Sequence, residues 1–445
     1  MMKWWVLQIF VGWVISAPLL LTAGEPLDSE NQGNTPKSDS VSHLVGMSGC
    51  SLKNCHNSTA QGGRTQFSLW SRDDHARAFV VLTESPSPQI AQAVGLTTPA
   101  HESMLCLKCH SAHALSMPLD AKVELSEGVS CEVCHGPASQ WIGLHRTPDW
   151  RAKPKSDKSK LGFRNLSSPR ERVETCINCH VGTPGFEVTH EMIAAGHPRM
   201  LFEMTAFLEA MPRHWYEAKT RRLVPQFSAK VWLTGQTATL RRTVANLEAR
   251  SPDRVLPEFA DHDCYACHRT LTGLSTEKSF GANSRTWGRW PLELTRLAEK
   301  RPFGLPTGTI EAVSQLSGQL RVTKIDRSAM QLHALSEKLA ALDVFADQVA
   351  WTPTQLRDVM LECTAPIAPG HSDWEVTWQR SQALTALLQS WDSGNPALTK
   401  QLALSLAALK AERAMPKGFD SPKSFDLESV NRHLKVMREA LATSP

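Results

Sequence analysis

Four times in this chain two cysteines stand two residues apart, with a histidine directly after the second. The copies are Cys106-Leu-Lys-Cys109-His110, Cys131-Glu-Val-Cys134-His135, Cys176-Ile-Asn-Cys179-His180 and Cys264-Tyr-Ala-Cys267-His268. A looser version, Cys50-Ser-Leu-Lys-Asn-Cys55-His56, precedes them. With 11 Cys and 17 His in 445 residues, chance would supply roughly 0.01 strict copies, so coincidence is excluded. The spacing matches covalent haem attachment. Two thiols two residues apart can add to the two vinyl groups on one porphyrin edge, and the following histidine then falls beneath the ring and ligates the iron from the proximal side.

Zinc is the competing reading, because paired CxxC units can form four-cysteine ribbons, and a lone CxxC can be a redox dithiol. Neither needs a histidine immediately after the second cysteine, and here that histidine recurs every time. The expectation is haem c, with five attachment sites, of which Cys50 and Cys55 have the looser spacer. Ten of the 11 cysteines are thereby used; Cys363 is left as a small apolar residue of a helix.

Composition narrows the class. A chain that is 41% hydrophobic and 21% charged is globular in character. Its net charge of only +4, with no basic run interleaved with aromatics, gives nucleic-acid binding no support. Met-Met-Lys followed by an apolar run from Trp4 to Leu21 and small residues at Ala23 and Gly24 reads as a secretory signal over 1–24, with an uncleaved membrane anchor as the alternative. Export agrees with the haem motifs, which are loaded outside the inner membrane, so the expected location is the periplasm.

Residues 25–42 lack hydrophobic periodicity and read as a tether. Residues 43–272 carry all five motifs, with so little chain for each that the porphyrins themselves must form most of the core. A helical stretch is expected over 66–82, and further helices over 200–209 and 226–250. The basic, proline-interrupted segment 151–160 reads as a solvated loop. Residues 273–325 form a connector punctuated by Gly, Ser and Pro. From 326 to 445 the chain is Leu- and Ala-rich, with helical periodicity over 326–349, 353–363, 373–392, 395–413 and 426–442. The fold class is therefore mainly α: a haem-packed domain of short helices and loops, followed by a helical C-terminal domain.

A second axial ligand decides what each haem can do. A histidine there gives a six-coordinate electron carrier, whereas an open face can bind and transform a small molecule. Nine histidines between 43 and 272 lie outside the motifs: His43, His75, His101, His113, His145, His190, His197, His214 and His262. His113 follows a proximal histidine by three residues and can serve only a neighbouring ring; His262 is similarly ill-placed for its own. His145 and His190 each lie ten residues beyond a proximal histidine, far enough to cross to another ring. His333, His371 and His433 read as surface or packing residues.

Trp70-Ser-x-x-x-His75-Ala, Gly128-Val-Ser-Cys-x-x-Cys-His-Gly-Pro137 and the Gly196-His-Pro-Arg stretch resemble the cytochrome c-554 family. That family consists of periplasmic multihaem cytochromes whose haem stacking is similar to that of hydroxylamine oxidoreductase and the pentahaem nitrite reductases. The resemblance covers about residues 43–270. It implies His75, His113, His145 and His197 as distal ligands, with His190 close behind. The fifth motif, the Cys50–Cys55 spacer and the helical tail depart from the family's tetrahaem pattern. Two functions follow. The favoured one is an electron carrier between periplasmic or membrane-bound redox proteins. The alternative is an oxidoreductase with one open-faced haem acting on a small nitrogen or sulfur compound. All five motifs end in His and none in Lys, and the chain has only two tyrosines, Tyr216 and Tyr265, so the marks of such an enzyme are weak.

Overall fold

The computed structural model describes residues 41–58, 65–112, 123–215, 224–250, 258–262, 332–369, 373–412 and 426–443, with isolated positions between 293 and 312. The chain is mainly helical, as its periodicity predicts. Among the described residues β pairing is confined to isolated bridges, one of them between Thr183 and Phe186, and no helix is long and apolar enough to cross a membrane. The expected signal segment and nearly all of the expected tether lie outside the described residues, as do most of the expected connector and the fifth motif, Cys264 to His268.

The motif-bearing half is built of short helices: α1 Met47–Cys50, α2 Gln66–Trp70, α3 Ser87–Ala93, α4 Met104–His110, α5 Cys131–His135, α6 Pro148–Ala152, α7 Lys155–Lys160, α8 Pro169–His180, α9 His190–Ala194 and α10 Met204–Ala210. Their starts follow capping chemistry. Thr147 and Ser168 accept backbone N–H bonds at the starts of α6 and α8, and a proline occupies the first helical position of each.

Three sequence expectations fail locally, two of them because a polar side chain caps a new turn. The helix expected over 66–82 breaks after Trp70, because Asp73 accepts the His75 N–H and opens a separate 3-10 turn, Asp74–Arg77. The helix expected from 200 begins at Met204, where buried Glu203 caps it through Thr205 N and Ala206 N. The basic segment 151–160 is not a loop: it holds the end of α6 and all of α7, separated by Pro154. Its charges are largely exposed, with Lys160 paired to Asp157 at 2.8 Å and Lys158 over the Trp150 ring.

Small apolar clusters sit beside the motifs. Leu107 packs with Leu82, Ala91 and Ala100. Val173 and Ile177 of α8 pack with Phe202, Met204, Phe227 and Val231. The large cluster lies elsewhere. It joins α11 Phe227–Ala249 to the C-terminal helices α12 Leu332–Gln348, α13 Pro353–Cys363, α14 Asp373–Ser390, α15 Pro396–Glu412 and α16 Leu427–Ala442. Five expected C-terminal helices thus appear within a few residues of their periodic segments. In α16, Val430, Leu434, Met437 and Leu441 recur at three and four and are buried. Each such side chain contributes about 1.5–3 kcal/mol of burial. Cys363 is fully buried in this cluster.

Helix α14 is enclosed almost all round, yet it carries Gln379, Arg380, Gln382 and Thr385. Arg380 pairs with Glu293 at 2.8 Å and donates to the Ala365 carbonyl, and Gln379 accepts from Gln236 of α11. One further ion cluster binds the motif-bearing half to the tail. Arg241 of α11 bridges Glu174 of α8 and Asp343 of α12. The helix that ends on His180 is therefore tied to the motif-free helices by charge as well as by packing.

Candidate metal centres

Helices α4, α5 and α8 each end on the histidine of their motif. Helical geometry explains the sequence spacing. Cysteines at i and i+3 share one face, and the histidine at i+4 lies beside the first of them. The first motif differs: α1 stops at Cys50 and the two additional residues lie in the turn that leads to exposed Cys55 and His56.

Every described motif histidine faces one other histidine ring. His56 and His145 have centroids 6.2 Å apart, His75 and His180 5.8 Å, His110 and His197 6.4 Å, and His135 and His214 6.3 Å. A metal–imidazole bond of about 2 Å puts the ring centre about 3 Å from the metal, so two rings on opposite faces of one iron stand about 6 Å apart. The four separations agree with that distance. Burial pushes His135 and His180 down to about 4 and also lowers His110 and His214. These rings are neutral at pH 7, the form in which imidazole takes a metal.

The four pairs adjoin one another in turn. The Cys50 and Cys131 thiols influence each other, as do those of Cys109 and Cys179. Cys134 and Cys176 are both pushed up by burial, to about 11 and about 12, and Cys134 adds to the rise at Cys176. The motifs thus run in the spatial order first, third, fourth, second, which differs from their order in the chain.

The residues around the motifs explain the recurrent sequence words. The Trp70 indole donates to the Val129 carbonyl at 3.1 Å, and Val129 N donates to the His75 carbonyl at 3.0 Å. The strip before the third motif is thereby laced to the His75 turn. A Cβ on Gly128 would lie 2.7 Å from the His75 carbonyl oxygen, and one on Gly136 would lie 2.0 Å from that of Gly162. Both glycines also have positive φ, so backbone approach and conformation together require them. Glu132, inside the third motif and buried, accepts from Val45 N, Gly46 N and Ala138 N. Glu127 accepts from Met47 N. These two carboxylates hold the start of the first motif against the third.

The Nδ1 atoms divide by partner. Those of His110, His145 and His197 bond the carbonyl oxygens of Ala78, Ile142 and Pro198. That of His75 bonds Asp73 Oδ1 at 2.7 Å. Burial acts to raise the Asp73 carboxyl, but the ring and backbone hydrogen bonds from His75 outweigh it and hold the group below the usual carboxylate range.

Of the distal candidates weighed from sequence, His75, His145 and His197 each lie opposite a motif histidine. His190 lies against Phe259 and takes Glu258 Oε1 on its backbone N–H; it faces no described motif histidine. His113, Cys264, Cys267 and His268 lie outside the described residues. His214 faces His135 but stands outside the expected set. Its sequence signal is slight: a spare histidine in Met211-Pro-Arg-His-Trp215. His101 packs on Phe79 with its Nε2 3.7 Å from the Glu102 carboxylate, and His43 bonds Ser139 through its backbone.

The donor set fits haem c. At three motifs two thiols and an imidazole share one helix face, and at all four described motifs a second imidazole stands across the gap. Residues 50–136 match a family model described as cytochrome c554 and c-prime. That segment contains the first three motifs together with Trp70 and His75. No curated protein and no solved structure matches the chain.

Proposed function

We propose, from the match of residues 50–136 to the cytochrome c554 and c-prime model, that this chain is a multihaem haem c protein carrying single electrons between exported or membrane-bound redox proteins. The single observation that carries this is the pairing of four motif histidines with four separate histidines at 5.8–6.4 Å. Haem c bound at these positions supplies reversible one-electron iron chemistry. Cys50/Cys55, Cys106/Cys109, Cys131/Cys134 and Cys176/Cys179 would hold the four groups covalently, and Cys264/Cys267 with His268 a fifth. His56/His145, His110/His197, His135/His214 and His180/His75 would close both axial positions of the first four.

Closed axial positions favour transfer over catalysis, because no open face is left among these four for a substrate. The spatial order first, third, fourth, second supports a line of sites with the first and second motifs at its ends. Export to the periplasm is the reading that suits both the apolar N-terminal run and covalent haem. The test is His214→Ala. The reading expects haem attachment to persist while one low-spin haem becomes high-spin and binds carbon monoxide. An unchanged spin count and no carbon monoxide binding would remove His214 from the ligand set and weaken the pairing.

A further inference from the structure

We propose that Asp73 is a positioning residue for the haem held between His75 and His180, and that its carboxylate keeps this haem at a lower potential than the other three described sites. The inference rests on the ligand reading above and extends it to a property that the pairing alone does not set.

Among the described residues, the Nδ1 partners of the paired rings are backbone carbonyls at His110, His145 and His197, and a carboxylate only at His75. Asp73 is held for this task. Its side chain is 6% exposed, and Oδ1 takes both the His75 ring at 2.7 Å and the His75 backbone N–H at 3.0 Å. Two bonds to one residue fix the imidazole's tautomer and direction, with Nδ1–H toward the carboxylate and Nε2 free for the metal. Asp73 Oδ2 is buried and has no hydrogen-bond partner in the structure. The negative charge is consequently little diluted by other donors.

The direction of the effect follows from charge. A carboxylate on the far side of an imidazole raises that ligand's basicity and pushes electron density toward the metal. The oxidised iron carries one more positive charge than the reduced iron, so the donation and the nearby negative charge both favour the oxidised form. A neutral carbonyl acceptor does this less, because a bond to a charged group is roughly twice as strong. Asp73 also acts electrostatically on His214 and Cys134, so a smaller effect reaches the neighbouring third site.

Asp73→Asn preserves size and an oxygen that can accept the His75 backbone N–H, and it removes the charge. In the haem-loaded full chain, spectroelectrochemical titration should show the lowest-potential component moving upward. The expected move is a tenfold or greater change in that haem's oxidised-to-reduced ratio, equivalent to about 59 mV for one electron. Components assigned to the other sites should move less, and the low-spin count should stay the same. Unmoved potentials with an unchanged spin count would overturn the proposal, as would a new high-spin haem in Asp73→Asn, which would make the residue's role purely structural. His75→Ala separates this failure from failure of the ligand reading. If that variant gains a high-spin haem, His75 is a ligand whatever Asp73 does; if it gains none, the ligand reading itself fails at this site.

Discussion

Replacing Glu203 by glutamine should flatten the pH dependence of folding by an amount that the structure sets. Glu203 is 1% exposed and caps α10, accepting Thr205 N at 3.2 Å and Ala206 N at 2.8 Å. Burial pushes its carboxyl from an ordinary 4.5 up to about 7 against those two donors. Between these values the folded chain holds a proton that the unfolded chain has lost. Its contribution to stability is therefore full below about pH 4.5 and disappears as pH rises through about 7. At about 1.4 kcal/mol for each pH unit between the two values, the loss is about 3 kcal/mol. Glutamine cannot ionise, so Glu203→Gln lacks this term while retaining an oxygen for the cap. Urea unfolding followed by circular dichroism at pH 4.5, 6 and 8 measures the effect. The native protein should lose about 3 kcal/mol more than Glu203→Gln over that range. Parallel stability curves for the two proteins would refute the assignment of a buried, proton-holding Glu203.

Arg241→Ala should destabilise the chain by about 3–5 kcal/mol in the same assay, because Asp343, 2% exposed, would be left as an uncompensated buried charge. A loss below about 1 kcal/mol would mean that water reaches the cluster. Mass spectrometry of the mature protein should show five haem additions; four, with Cys50 and Cys55 unmodified, would remove the haem from the looser motif alone.

The sequence made the motif sites legible because their chemistry is local. Two thiols and an imidazole on one helix face need only five consecutive residues, and Cys106–His110, Cys131–His135 and Cys176–His180 are helical for that reason. The C-terminal helices were legible because their apolar periodicity extends over several turns, as in Leu427–Ala442. The facing histidines are a different kind of information. His197 approaches His110, and His214 approaches His135, through folding of distant segments, which no local spacing encodes. His145 could be judged by reach, ten residues beyond His135, yet the ring it faces belongs to His56. Helix boundaries near the motifs were obscured by Asp73 and Glu203, whose side chains cap a backbone turn in the middle of an otherwise helical pattern. The tie between α8 and the motif-free tail rests on Arg241, one basic residue among many, and only its two acidic partners, half-buried Glu174 and buried Asp343, distinguish it.

Electron paramagnetic resonance of the oxidised, haem-loaded protein tests the central claim most directly. Two histidines on each of the four proposed irons predict low-spin signals from at least four haems, leaving at most the haem of the fifth motif to contribute a high-spin signal. Two or more high-spin haems would contradict the account, because at least one of the pairs His56/His145, His110/His197, His135/His214 and His180/His75 would then fail to ligate.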